Sequence, residues 1–466
     1  MGTNKIFILL PDGIGLRNFA YSSFHEIGIE KKFDVVFWNN TPFKLSDIGF
    51  KEIKIHNSKS HVVTDIFKSA RQQIEFNISK NKTNDLVYDS YRFPLPYNTL
   101  KKAIKTIAIN SLVLVNSSHK GWMRIRNKIN KKERETLFYQ QCLKALQEEK
   151  PTLVFCTNQR HTATIAPILA AQDLGIPTAT FIFSWDNLPK ATMVLETDYY
   201  FVWSEHMKKE LQFYYPYING EQVFITGTPQ FESHFNTVNL LSREQFFKQN
   251  GLDLNKKYIC YSGDDSTTCP DDPQYLEDVA VAIKKLNKKG YSLGVIFRRC
   301  PVDFSTRFDK VLNEYKEYIV PLAPKWDREG EEWGAILPTP NDISLQMNTI
   351  AHTEMVINLG SSMVFDYAAH TKPCGYINYD VPHKVNKDWS VRNIYKFVHF
   401  RSMPNKEAVF WLNSADEIVA KIEEMLSDKS RKVVYNAQEW FEKINQHPAQ
   451  DASKRIWEAI AEICKK

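Results

Sequence analysis

The sequence has no pair of cysteines at C-x-x-C spacing. Its seven cysteines, Cys142, Cys156, Cys260, Cys269, Cys300, Cys374 and Cys464, are odd in number and widely scattered. That pattern disfavours both a zinc centre and a disulfide framework, and it suits a reducing, cytoplasmic setting. No run of about 18 apolar residues occurs, so no transmembrane helix is expected. The apolar opening from Lys5 to Pro11 is too short for a secretion signal and ends in a turn. Low-complexity tracts and internal repeats are absent, which excludes solenoids and long disordered stretches. Charge of one sign is also scarce. A net charge of +6 on 466 residues leaves nucleic-acid binding without support unless a local patch supplies it, and none is expected as a partner.

What is present is the composition of a globular chain, 43% hydrophobic, 13% aromatic and 24% charged. The length calls for two domains of about 200 residues. Short apolar runs alternate with amphipathic stretches in both halves, the pattern of strand–helix–strand units, so the fold class is α/β with parallel sheets. Strands are expected at Ile6–Leu10, Asp34–Trp38, Leu153–Cys156, Thr178–Phe183, Tyr199–Val202 and Val223–Thr226. A second series begins at Tyr258 and continues at Leu293–Phe297, Tyr318–Val320, Met355–Asn358 and Cys374–Ile377. The boundary falls near residue 240, giving Rossmann-like domains at 1–240 and 241–466 facing a central cleft. The tail Val434–Lys466 reads as helix broken near His447-Pro448, compatible with packing on its own domain or with crossing back to the first.

Within Met355 to Tyr367 a buried strand runs into the small-residue turn Gly360-Ser361-Ser362-Met363 and then a helix. Backbone N–H groups at such a turn favour an anion, Gly360 admits close approach, and the serines add donors. Asp366, one helical turn on, is placed to accept from ribose hydroxyls. In the first domain, the polar run from Thr157 to Thr162 follows a strand and is a candidate ligand wall. It contains His161, an imidazole of the kind that serves as general acid or base. Asp12 lies in the loop Pro11 to Asn18, whose Gly13 and Gly15 do not complete a G-x-G-x-x-G fingerprint. Arg17 and Asn18 there could orient an acceptor.

Three segments carry a family resemblance. Ser361-Ser362-Met363-Val364-Phe365-Asp366-Tyr367, followed by Lys372-Pro373, resembles the S-S-x-x-x-D-Y/F…K-P signature of CDP-glycerol glycerophosphotransferases and related GT-B enzymes of surface-polymer synthesis. Ser184 to Lys190 is similar to that family's W-H-G-x-P-x-K element, with Asp186 in place of the histidine. Its Trp185-Asp186-Asn187-Leu188 matches a W-D-N-L segment of surface-carbohydrate glycosyltransferases. Thr226 to Glu232 resembles the G-x-P-R-x-D element that closes the first domain, with Gln230 replacing arginine.

The resemblance implies a GT-B fold, with an acceptor in the first domain and a nucleotide donor in the second. Asp186 is then the leading base for deprotonating the acceptor, with His161 and Asp12 as the other candidates and Asn187 joining Arg17 and Asn18 on the acceptor side. Arg298, in an element similar to R-x-H-P, would hold the donor phosphates with Gly263, Gly360, Ser361, Ser362, Met363 and Asp366. The Asp264-Asp265 pair reads as solvated. No metal site and no cofactor are expected, a divalent cation being at most a counterion to phosphate. The E-x7-E pattern of retaining GT-B enzymes is lacking around the phosphate helix.

The expected function is therefore an inverting glycosyltransferase. It would move a sugar from a nucleotide sugar to a glycan or lipid-linked acceptor in bacterial surface polysaccharide synthesis. A CDP-polyol phosphotransferase and a sugar-nucleotide epimerase of the same architecture are the alternatives. Between Lys101 and Arg134, ten Lys or Arg stand against one acid, Glu133, around an apolar island. That composition fits peripheral contact with the inner face of the plasma membrane, and equally a core segment with a solvated cationic face.

Overall fold

The computed structural model describes residues 4–330 and 336–465; the tail read as helical to Lys466 is thus described to Lys465. The chain forms two compact units, one made of residues 1–229 with 446–466, the other of residues 230–445. The division falls at Pro229/Gln230 rather than near residue 240. It also departs from a second domain running to 466, because the C-terminal segment packs on the first unit.

In the first unit seven strands form one parallel sheet. They are β1 (Lys5–Leu10), β2 (Asp34–Asn39), β3 (Glu52–Lys54), β4 (Leu153–Cys156), β5 (Thr178–Phe181), β6 (Tyr199–Val202) and β7 (Val223–Ile225). Their order is β3-β2-β1-β4-β5-β6-β7. Continuous apolar runs such as Ile6 to Leu10 suit strands covered on both faces, and these residues are buried. β3 escapes the sequence pattern because it is three residues long, half-exposed and carries Glu52 and Lys54.

The helix Ala452–Ile463 closes this unit. Trp457 is fully buried, stacks between Phe24 and Phe33 with ring centroids 4.9 Å away on each side, and donates its indole N–H to the Phe24 carbonyl at 2.6 Å. Gly28 makes room for it, since a Cβ there would lie 2.3 Å from the indole. Arg455 ties the same helix to the end of β7 through the Thr226 carbonyl at 2.8 Å.

The second unit contains β8 (Lys257–Ser262), β9 (Leu293–Arg298), β10 (Ile319–Pro321), β11 (Trp326–Arg328), β12 (Ile336–Pro338), β13 (Val356–Asn358), β14 (Cys374–Ile377) and β15 (Phe410–Leu412). Six form a parallel sheet in the order β10-β9-β8-β13-β14-β15, while β11 and β12 pair as an antiparallel ribbon. Both parallel sheets share the 3-2-1-4-5-6 order of a Rossmann fold. In each, strand order reverses beside the first strand, at β1/β4 and at β8/β13, and loops at such points open a crevice for ligands.

Candidate functional site

At the first switch point the structure joins two residues that the sequence offers as separate candidates. Asp12 follows β1 and His161 follows β4, and His161 Nε2 lies 2.7 Å from Asp12 Oδ2. The Asp12 carboxylate is almost fully enclosed. Its Oδ1 accepts from the backbone N–H of Ile14 (3.1 Å) and Gly15 (3.3 Å), and its Oδ2 also accepts from Asn158 Nδ2 at 2.9 Å. Burial alone would raise its pKa, but the hydrogen bond and charge of His161, the charge of Arg160 and the Gly15 N–H outweigh it and hold it below the usual value. Asp12 is therefore an anion at neutral pH. It fixes the His161 tautomer with the proton on Nε2 and directs Nδ1 away from itself, while the imidazole keeps a third of its surface exposed. Gly15 is required here because a Cβ would sit 2.8 Å from Leu10 and 2.9 Å from Thr157.

The surroundings are cationic. Arg160 is drawn in by Asn158, whose Oδ1 accepts its backbone N–H at 3.1 Å, and its guanidinium lies 5.1 Å from the Phe183 ring centroid. Lys68 feels both Arg160 and Arg71; burial, then these two charges, push its pKa down against the pull of Asp65. A proton acceptor flanked by arginine and lysine suits an anionic substrate.

Asp186, at the end of β5, is engaged elsewhere. It forms an ion pair with Lys190 one turn on and accepts from Asn187 Nδ2 at 3.0 Å. Asn187 is buried, and its Oδ1 accepts from Gln159 Nε2 at 3.1 Å. Gln159 Oε1 in turn receives the Phe183 N–H at 3.0 Å. The W-D-N-L segment is thereby locked to the β4 loop as a wall, with the Asn187 amide spent inside the protein rather than offered to an acceptor. Asn18 is buried and Arg17 partly so, both in the short helix Ile14–Phe19.

A cavity of about 240 Å³ in the same unit escaped the sequence pattern. Glu75, Trp122, Phe213, Tyr214 and Tyr217 are among its lining residues. Glu75 accepts from the Trp122 indole at 3.1 Å and from the Tyr215 hydroxyl, and burial raises its pKa against the pull of Arg71 and these two donors. Gln72, less than one turn earlier on the same helix Thr64–Thr83, donates to the Lys190 carbonyl at 3.1 Å. No single motif announces this cavity, since its walls come from distant segments.

In the second unit, Gly263, Arg298, Gly360, Ser361, Ser362 and Met363 all lie at the carboxyl ends of β8, β9 and β13. Arg298 is buried, and its Nη2 meets both Asp342 oxygens at 3.2 Å. Its Nη1 is enclosed with no partner among the described residues, a donor available to an anion. Asp342 also accepts from the Trp326 indole at 2.7 Å and the Lys325 N–H at 2.9 Å.

Gly360 takes the left-handed conformation at φ +63° and passes within 3.0 Å of Phe400, measured from where a Cβ would stand. The turn uses part of its own donor set: Ser361 N–H goes to Asn358 Oδ1 at 2.9 Å and Met363 N–H to Ser361 Oγ at 3.3 Å. Gly263 is required by packing, with the Phe297 ring 2.9 Å from its would-be Cβ.

Asp366 does not await a ribose. It is buried and holds His234 Nε2 at 2.7 Å, with His370 Nε2 3.2 Å from His234 Nδ1. Burial first, then the charges of His234 and Lys372, lower the His370 pKa to about 4 against the pull of Asp366. The helix Met363–Ala369 is buried all round from Val364 to Ala368, Phe365 packing on Trp440 and Phe441 while Asp366 meets His234, which the linear motif could not reveal.

The Asp264-Asp265 pair splits rather than standing in solvent. Asp265 closes its own turn, accepting from Thr267 and Thr268. Asp264 Oδ2 is buried without a partner among the described residues, and burial, Asp272 and Asp265 drive its pKa well above the usual range. Asp272 itself rises to about 6, burial outweighing the Tyr261 hydroxyl, the Asp264 N–H and Arg307. Groups raised in this way bind more protons folded than unfolded. For Asp272 that stabilisation is complete below 3.8 and is lost as pH rises through about 6, and the contribution of Asp264 is lost in the same direction. Asp264→Asn should therefore stabilise the protein by roughly 1–3 kcal/mol at neutral pH and far less in acid, which urea melts across that range would measure. Among the described residues no cluster of three His, Cys, Asp or Glu is disposed to hold a metal.

Neither a family model nor a curated protein matches the sequence. Solved structures do share its fold. The Staphylococcus aureus MnaA–UDP co-structure aligns at TM-score 0.53 and 14% identity, over 99% of this chain and 97% of that one. The UDP-GlcNAc 2-epimerase of Methanocaldococcus jannaschii aligns at 0.52 and 13%, over 98% and 99%. A glycosyltransferase of Rickettsia africae aligns at 0.53 and 11%, over the whole of both chains. At these identities the similarity establishes the fold, and the chain has the two Rossmann-like units of the GT-B architecture.

Proposed function

We propose that this chain is an enzyme of nucleotide-sugar chemistry. Its second unit would bind the nucleoside diphosphate through Arg298 and the Gly360–Met363 turn, and its first would move a proton with Asp12–His161. The Asp12–His161 pair at the first switch point carries this reading, because an oriented imidazole among cations is built to exchange a proton with an anionic substrate.

Sugar-nucleotide epimerisation takes first place among the reactions such a pair serves. It is supported by fold neighbours described as UDP-GlcNAc 2-epimerases or solved with UDP, and it needs no acceptor. A proton leaves one face of a sugar carbon and another returns to the opposite face, with no net change in atoms. Inverting transfer to a glycan or lipid-linked acceptor is the second reading. One observation favours it: the W-D-N-L segment, which resembles that of surface-carbohydrate glycosyltransferases, borders the β4 loop that carries His161.

Incubation with UDP-GlcNAc alone, followed by proton NMR in deuterated water, separates the two. A new epimer carrying solvent deuterium supports the first. UDP release that appears only with an added acceptor supports the second. Neither epimer nor acceptor-dependent release of the donor's own nucleotide with any of UDP-, CDP-, GDP- or dTDP-sugars would sink both. Arg298→Ala should abolish most of the thermal stabilisation given by the nucleotide, since it removes the buried Nη1 donor.

A further inference from the structure

We infer that the helix Leu100–Val115 is a docking surface for an anionic lipid bilayer. Leu100, Ile104, Ile107, Leu114 and Val115 recur at helical spacing on one side of it. They are 80, 59, 58, 82 and 73% exposed, whereas Thr106, Ile109 and Asn116 on the opposite side are buried against the unit. The helix is thus inverted relative to an ordinary surface helix, with an aliphatic stripe turned to solvent. Phe93 and Tyr97, just ahead of it, are also exposed, at 81 and 59%.

Charge complementarity identifies what covers this face. From Phe93 to Lys132 the chain has no Asp or Glu, and the next acid, Glu133, is buried and bound to Thr64 and the His61 N–H. Lys101 borders the stripe on one side, and Lys105 and Lys102 follow farther round the helix, all three exposed. The following helix His119–Arg134, packed on the same Thr64–Thr83 helix, adds Lys120, Lys128 and Lys131. None of these six forms an ion pair among the described residues, unlike Arg126 with Glu196 or Arg134 with Asp173. An aliphatic face bordered by uncompensated lysines matches an acyl boundary beneath anionic headgroups. No helix among the described residues is long and apolar enough to cross a membrane, so the contact is peripheral.

The test is co-sedimentation of the full chain with large vesicles of phosphatidylcholine alone, or with about 30% phosphatidylglycerol. Binding should be at least about tenfold tighter to the anionic vesicles and should fall about tenfold in half-molar salt. Ile107→Asp with Leu114→Asp should lower it by a similar factor while leaving the melting temperature and nucleotide binding unchanged, as both side chains are exposed. Lys102→Glu with Lys105→Glu should remove the preference for anionic lipid. Failure of the wild-type chain to sediment with phosphatidylglycerol, or undiminished binding of the double aspartate variant, overturns the proposal. So does a dimer in sedimentation velocity that the aspartates dissociate while vesicles go unbound, since a second copy would then cover the face.

Discussion

His161→Ala should lower turnover by roughly 10²–10⁴-fold, the range over which positioned acid–base groups contribute, while UDP binding to the second unit is retained. The separation of effects follows from the placement of the residues. His161 belongs to the first unit, at the end of β4, whereas Arg298 and the Gly360 turn belong to the second. Asp12→Asn should be nearly as damaging with little loss of the histidine itself. An amide in that position can present its N–H to Nε2, reversing the tautomer and turning the Nδ1 acceptor into a donor. The variant also weakens the reception of the Ile14 and Gly15 N–H groups, so some stability is lost. Steady-state rates set beside thermal shifts with UDP distinguish the two losses. A His161→Ala enzyme with wild-type turnover removes the dyad from the mechanism and returns Asp186, or another group, to consideration.

Trp457→Ala should destabilise the first unit by about 3–5 kcal/mol, the range for deleting a fully buried large aromatic side chain. The indole is sandwiched by Phe24 and Phe33, its N–H is bonded to the Phe24 carbonyl, and Gly28 has no Cβ to fill the gap left behind. Little collapse is available, because Phe24 is itself held by Phe19 and Phe155. Chemical denaturation should show the loss in the transition of the first unit, with that of residues 230–445 less affected. Equal loss in both transitions would mean that the two units unfold as one.

Much of this architecture is legible in the sequence. Strand positions such as Leu153–Cys156 and Cys374–Ile377 stand out because buried parallel strands are continuous apolar runs between polar turns. β15 and β3 do not, being three residues each with charged or half-exposed neighbours. Both switch points are legible as polar loops that follow strands, and they contain Asp12, His161, Arg298 and Gly360. Partnership was harder. Sequence spacing says nothing of which loop ends beside which, so Asp12 and His161 looked like competitors until the β1–β4 pairing set them 2.7 Å apart. Asp366 shows the reverse failure. Its distance from Ser362 along a helix is readable, but the enclosure of that helix and the His234 imidazole that takes the carboxylate come from segments distant in sequence.

The return of residues 446–466 to the first unit sets an order of assembly during synthesis. At the ribosome residues 1–229 emerge first, yet Gly28, Phe24 and Phe33 wait for an indole made only after the whole of the second unit. At about 5–20 residues per second, that wait spans many seconds, ample for residues 230–445 to fold. The half of the protein that begins first therefore finishes last, and a chain ending before Trp457 would keep an open apolar slot in its first unit.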